Sequence, residues 1–450
     1  MLVTVATPVT KTHSRPIPPE PCFRRGDGIR PDGWEVLTDP FVDGLDDTCV
    51  CLWFALRDVQ QWIEATQRDG LFGHHNHRTR ARLLRAISAA APPLVPPLRT
   101  FIRLRTGPGA ISAGELAEAC YGVWRWADAA ALPGTAAHYA ETAAYLVPDN
   151  PTYANDAGWA CRRCAAHERA NVWYQRGFQL AVRYRNRYEA IRALIGRGAV
   201  HKDLGRHDEA RQLYDRASRR ALRTGRRRQA AVARHYLFAL EAEGGSFDRG
   251  LEEVRTTLNL YPIYDRRVPY LAHDFAFLLI RNRYFAAALS LLEKLAPAIT
   301  KPDERVLVES SIAWAAAAGG HDAQRREAER YVVDMAGAHP EYAAAGFIHL
   351  AHASRFVDEL QVADTYAAHA EELASRRGDG ALALEATALR HAIATRLPPE
   401  GENPVPGPYA VEGIAKMFSV RLRRWLAPDR RGTGANAKPA NATDLERRRL

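Results

Sequence analysis

The chain has 450 residues, 47% of them hydrophobic and 25% charged, with a mean hydropathy of −0.33. No run of about 18 apolar residues occurs, which excludes a membrane-spanning helix and leaves enough apolar material for a sizeable core. Six cysteines are too few for a disulfide scaffold, so a cytoplasmic protein is expected, and a formal net charge of +10 points towards an acidic partner.

Residues 1–33 are rich in proline, glycine and charge and read as a flexible lead. The apolar stretch from Leu2 to Val9 has no basic lead and runs into prolines, so no secretory signal is expected. Residues 34–110 form a distinct helical region. Leu52–Thr66 carries Leu52, Leu56, Val59 and Ile63 at helical spacing, His74, His75 and His77 fall in a loop, and Arg78–Ala91 reads as a second helix. This region is placed to cap the first apolar face of the helices beyond residue 110.

From residue 111 to 396 a small residue returns at helical-hairpin spacing. Ala136, Ala170, Ala210, Gly250, Ala287, Gln324 and Ala363 lie 34, 40, 40, 37, 37 and 39 residues apart. Each is read at the same point of one pattern, at the start of the second helix of a pair. Ala140, Ala143 and Pro148 follow Ala136. Ala154, Ala157, Gly158 and Cys161 precede Ala170, Tyr174 and Gly177. Leu194, Gly198 and His201 precede the turn at Gly205 and then Ala210, Tyr214 and Ala217. Small residues at i, i+4 and i+7 let paired helices approach to about 8–10 Å while large ones fill the groove beside them.

These residues resemble the tetratricopeptide repeat, in which a large residue, a small one and an aromatic mark the first helix, and alanine, aromatic, alanine mark the second. The resemblance implies an all-α, right-handed α-solenoid of about seven helical hairpins, and an interaction scaffold rather than an enzyme. It also implies a concave groove lined by the first helix of each pair. The family's groove positions fall on Tyr121, Arg125, Asn155, Trp159, Arg162, Arg163, Arg192, Lys202 and His235. Five of these are arginine or lysine, so an acidic peptide or protein is the expected ligand. The clamp that some members use for a C-terminal carboxylate needs an asparagine where this chain has Asp156.

Candidate chemistry is sparse. Cys161, Cys164 and His167 have the spacing of half a zinc site without a second half, and Cys161 falls on a core position. Cys49 and Cys51 diverge on any regular element, and the loop histidines lack the surroundings of a nuclease. No glycine-rich phosphate loop, dinucleotide fingerprint or nucleophile elbow is present, so no enzyme, cofactor or metal is expected. Arg216, Arg219, Arg220, Arg223 and Arg227 recur every three or four residues and read as a basic stripe along one helix. A regulator that meets nucleic acid through such a face is the runner-up reading, without a base-reading motif to accompany it.

After a linker at 397–408, residues 409–426 read as an amphipathic basic helix with Val411, Ile414, Phe418, Leu422 and Trp425 on one face. It is expected either to dock near Leu382–Arg396 or to serve as a separate contact. Residues 427–450 read as a disordered tail.

Overall fold

The computed structural model describes residues 17–19, 47–73, 81, 83–87, 91–130, 132–164, 166–244, 246–337, 340–376, 379–397 and 409–426. Every regular element among them is helical. The chain divides into two compact units, Met1–Gly196 and Arg197–Leu450. His74, His75 and His77 lie outside the described residues, as do nearly all of the 1–33 lead and all of the 398–408 linker and the 427–450 tail.

The first unit contains α1 (Asp47–Glu64), α2 (Val95–Thr106), α3 (Ala113–Ala129), α4 (Pro133–Leu146), α5 (Pro151–Arg163) and α6 (His167–Arg183). The division point falls inside α7 (Arg187–Asp203). Local sequence sets the helix starts. Ser112 Oγ accepts from the Glu115 N–H at 3.2 Å, and Glu115 Oε2 accepts from the Ser112 N–H at 3.0 Å, which satisfies two otherwise orphaned donors at the head of α3. Pro133 and Pro151 open α4 and α5, where a missing N–H leaves no bond unmade. The Asn150 side chain accepts from the Thr152 N–H at 2.9 Å.

Small residues face large ones, as the spacing predicts. Tyr174 of α6 lies against Gly158 of α5 and Gly196 of α7, where a Cβ would come within 2.9 Å and 2.2 Å of its ring. α1 and α2 pack beside the α3–α4 pair. The Tyr139 hydroxyl donates to the Leu52 carbonyl, and the Trp62 indole N–H donates to the Pro108 carbonyl at 2.8 Å. Trp62, Phe101 and Tyr139 are fully buried there, so the apolar edge of the first hairpin is covered.

The second unit carries α8 (His207–Arg223), α9 (Arg227–Gly244), α10 (Phe247–Leu260), α11 (Val268–Arg281), α12 (Phe285–Leu295), α13 (Pro302–Gly319) and α14 (Asp322–Ala336). It continues with α15 (Pro340–Phe356), α16 (Leu360–Arg376), α17 (Gly380–Ala394) and α18 (Tyr409–Leu426). From α3 to α16 the helices follow as seven successive pairs. The second helix of a pair starts three residues before Ala136, Ala170, Ala210, Gly250 and Ala363, but two before Ala287 and Gln324. At those two units the expected register is corrected by one residue. Ala288 is the fully buried position of α12, Ala287 is half-buried, and Gln324 is half-buried with its amide donating to Glu293 at 3.0 Å.

The turns that follow α7 and α8 need a left-handed residue and have glycine there, Gly205 at φ 71° and Gly225 at φ 72°. The second of these corrects the basic stripe. α8 ends at Arg223, and Arg227 opens α9 on the far side of the turn, so four of the five arginines share a helix and the fifth does not.

α18 docks on α10, α11 and α12, not near Leu382–Arg396. Val411, Ile414, Phe418 and Leu422 are buried in that contact. Phe418 stacks on Phe275 of α11 at 5.5 Å, and the Arg421 guanidinium donates to the Tyr261 carbonyl at 3.0 Å. The physical reason for this location is length. α10, α11 and α12, with 14, 14 and 11 residues, are the shortest helices of the unit and leave apolar surface for α18 to cover.

Candidate functional site

Seven of the nine expected groove residues lie in the first unit, and most of them are held by polar or aromatic partners of this chain. The Tyr121 hydroxyl donates to Asp156 Oδ2 at 3.1 Å, and its ring packs against Trp124 and Tyr153. Asn155 is fully buried and donates to the Glu189 carbonyl at 3.0 Å and to Glu189 Oε2 at 2.6 Å. Arg192 forms an ion pair with Asp156 and a longer one with Glu189 at 3.4 Å. Arg163 lies 3.9 Å from Asp128, and Arg162 sits over the Trp159 ring at 5.2 Å. Arg125 is half-buried.

The remaining two belong to the second unit. Lys202 pairs with Glu243 at 2.5 Å. His235 is buried, with Nδ1 3.2 Å from the Tyr261 hydroxyl and Nε2 2.8 Å from Asp274 Oδ2. Three of the five cations that motivated an acidic ligand therefore already face carboxylates of this chain. Of the stripe, Arg216, Arg219, Arg223 and Arg227 are exposed and Arg220 is half-buried, and Arg219 lies 3.9 Å from Asp215.

Cys161 is buried in α5, and Cys164 Sγ donates to the Pro133 carbonyl at 2.9 Å. Among the described residues no group of three or more histidines, cysteines and carboxylates is placed to hold a metal ion.

A concavity lies in the second unit. This cleft of about 720 Å³ is lined mainly by residues of α7, α9, α11, α13, α15 and α17, the first helices of successive pairs and the helix that follows the last pair, together with His207 of α8 and Phe285 of α12. Its wall is an aromatic ladder. Trp314 stacks flat on His352, with ring centres 4.2 Å apart, and Phe277 stacks on His349 at 5.5 Å. The Arg281 guanidinium lies 5.9 Å from the Phe277 ring.

Behind the ladder runs a polar chain. Ser310 Oγ lies 2.9 Å from His349 Nδ1, and His273 Nε2 lies 3.1 Å from Ser311 Oγ. Asp274 is held between His235 and His273. Burial would raise the Asp274 carboxyl, but hydrogen bonds from both imidazoles outweigh it and keep it well below the ordinary carboxylate range. Burial pushes His349 down to about 3, with His273, His352 and Arg281 adding to the effect. It pushes His352 to about 3 as well, with Arg355 and Arg281 contributing. Both rings are therefore uncharged at neutral pH and act as aromatic, hydrogen-bonding wall rather than as cations.

Sequence reasoning carried the groove positions through the first four pairs and missed this ladder. The signal was present. His235, His273, Ser311 and His349 recur every 38 residues, as do Trp314 and His352 one helical turn further on. The later repeats lose their small-residue pattern but keep the face that lines the cleft.

No family model and no curated protein matches this chain. Solved structures similar to it include the Rap conjugation gene regulator of the plasmid pLS20 in complex with the Phr* peptide, at 14% identity and TM-score 0.38, covering 78% of this chain and 98% of that one. A Rap protein complexed with competence and sporulation factor is 10% identical with TM-score 0.34, covering 77% of this chain and 98% of that one. A circular tandem repeat protein is 11% identical with TM-score 0.21, covering 82% and 98%. At these identities and scores, none of them assigns a partner to this chain.

Proposed function

We propose that this chain is a non-enzymatic interaction module that holds a peptide segment of a protein partner in the cleft of its second unit. The observation that carries the reading is the cleft itself, built by residues of eight helices with a continuous aromatic wall. Repeat arrays present such concave faces to extended ligands, and alternating aromatic and polar groups suit a peptide better than a reaction centre. An acidic peptide in the first unit, the expectation from the sequence, would compete with Asp156, Glu189 and Asp128 for cations that are already bound. The exposed arginines of α8 support the second reading, a regulator that also touches a phosphate backbone. A cytoplasmic location suits the free state of every described cysteine. Among the described residues no helix is long and apolar enough to cross a membrane.

Ala388 of α17 lines the cleft and is exposed, so its side chain can be enlarged without disturbing the core. Ala388→Trp is expected to lower partner capture about tenfold or more and to leave the melting temperature unchanged. Undiminished capture by the folded variant would remove the cleft as the binding site.

A further inference from the structure

Negative charge gathers in the cleft around Glu385, with Glu243 and Asp379 close enough to act on it. Asp203, Glu243, Asp274, Asp379 and Glu385 line the cleft, against the cations Lys202, Arg281 and Arg355. The two histidines of the ladder add no positive charge at neutral pH. Two of the three cations are committed elsewhere. Lys202 pairs with Glu243, and the buried Arg355 donates to the Leu397 carbonyl at 2.8 Å.

The carboxylates differ in how well they are answered. Asp274 is held by two imidazoles, and Asp379 accepts from the Leu382 N–H at 3.1 Å as the cap of α17. Glu385 is exposed and has no hydrogen bond or ion pair among the described residues. The residue is exposed, but its carboxyl end is desolvated among the cleft helices, which pushes its pKa up; Arg281 opposes this, and Glu243 and Asp379 add to it.

A second group in the cleft is also unanswered. Trp314 is 8% exposed, and its indole N–H has no acceptor.

Building on the cleft reading, we propose that its ligand is a cationic peptide segment, with a lysine or arginine side chain seated at Glu385 and an apolar neighbour against the Phe277 and Trp314 ladder. The cation supplies the counter-charge that Glu385 lacks. The apolar neighbour covers the aromatic wall. An acidic segment would bring like charge to Glu385 and has only Arg281 to meet it.

The test uses fluorescein-labelled peptides of about eight residues and the full chain. One peptide alternates lysine with phenylalanine and leucine, a second has glutamate at each lysine, and a third has serine there. Binding is read by fluorescence anisotropy. The lysine peptide is expected to bind at least about tenfold more tightly than the glutamate peptide, with the serine peptide between them. Glu385→Gln is expected to weaken the lysine peptide about fivefold or more, and Glu385→Lys to reverse the order of the two charged peptides. Glu385 is exposed, so both variants are expected to melt with the parent protein. Preference for the glutamate peptide, or indifference of the lysine peptide to both Glu385 variants, overturns the charge assignment. If Ala388→Trp still blocks the natural partner in that case, the cleft reading survives it. Failure of all three peptides to bind overturns the proposal as well.

Discussion

Phe418→Ala is expected to unseat α18 and to destabilise the second unit by about 3–5 kcal/mol, the usual cost of removing a fully buried aromatic ring. Phe418 is completely buried and stacks on Phe275, while Val411, Ile414 and Leu422 complete the same face. With the ring gone, the three aliphatic residues and the Arg421 hydrogen bond to Tyr261 are left to hold the helix. Trypsin cleavage after Lys416, within the helix, should then become fast in the folded protein, and the melting temperature should drop. Unchanged cleavage and melting would show that the apolar face of α18 is not seated on α11. Phe275 lies between Asp274 and Phe277, both of which line the cleft. α18 thus braces the cleft wall from behind.

Arg192→Ala is expected to cost about 3–5 kcal/mol, because it strips the counter-charge from carboxylates that have no water to turn to. The side chains of Asp156 and Glu189 are 2% and 4% exposed, and Asp156 also accepts from Tyr121. Urea unfolding followed by circular dichroism measures the loss. The same loss means that a charge reversal at Arg192 would abolish partner capture by unfolding the first unit, whatever its groove binds. A cost below about 0.5 kcal/mol would place the pair among solvent-screened surface bridges.

The architecture was legible because packing constrains it. Ala136, Ala170, Ala210, Gly250 and Ala363 are small where a neighbouring helix passes closely, and that requirement leaves a period in the sequence. The one-residue slip at Ala287 and Gln324 was not legible, since Ala287 and Ala288 are equally small and only the helix start distinguishes them. The ion pairs of the expected groove were not legible from its cations alone. Their carboxylates lie one repeat away, Asp156 at 36 residues from Arg192 and Glu243 at 41 from Lys202, and a count by repeat would have paired them. The place where α18 docks had no such signal. Phe418 meets Phe275 across the whole length of the later array, and an amphipathic helix states that it needs a partner without stating where.

Site-specific photocrosslinking tests the central claim most directly. A benzophenone amino acid is placed at Ala381, an exposed residue of the cleft, at Arg125 on the first-unit face, or at Arg219 on the exposed side of α8, and the adducts formed in the native cell are mapped by mass spectrometry. One adduct is expected, from position 381 alone, on a lysine- or arginine-containing segment of one protein, with its loss when Glu385→Lys is added. Adducts from position 125 or 219 with none from 381 would contradict the cleft reading.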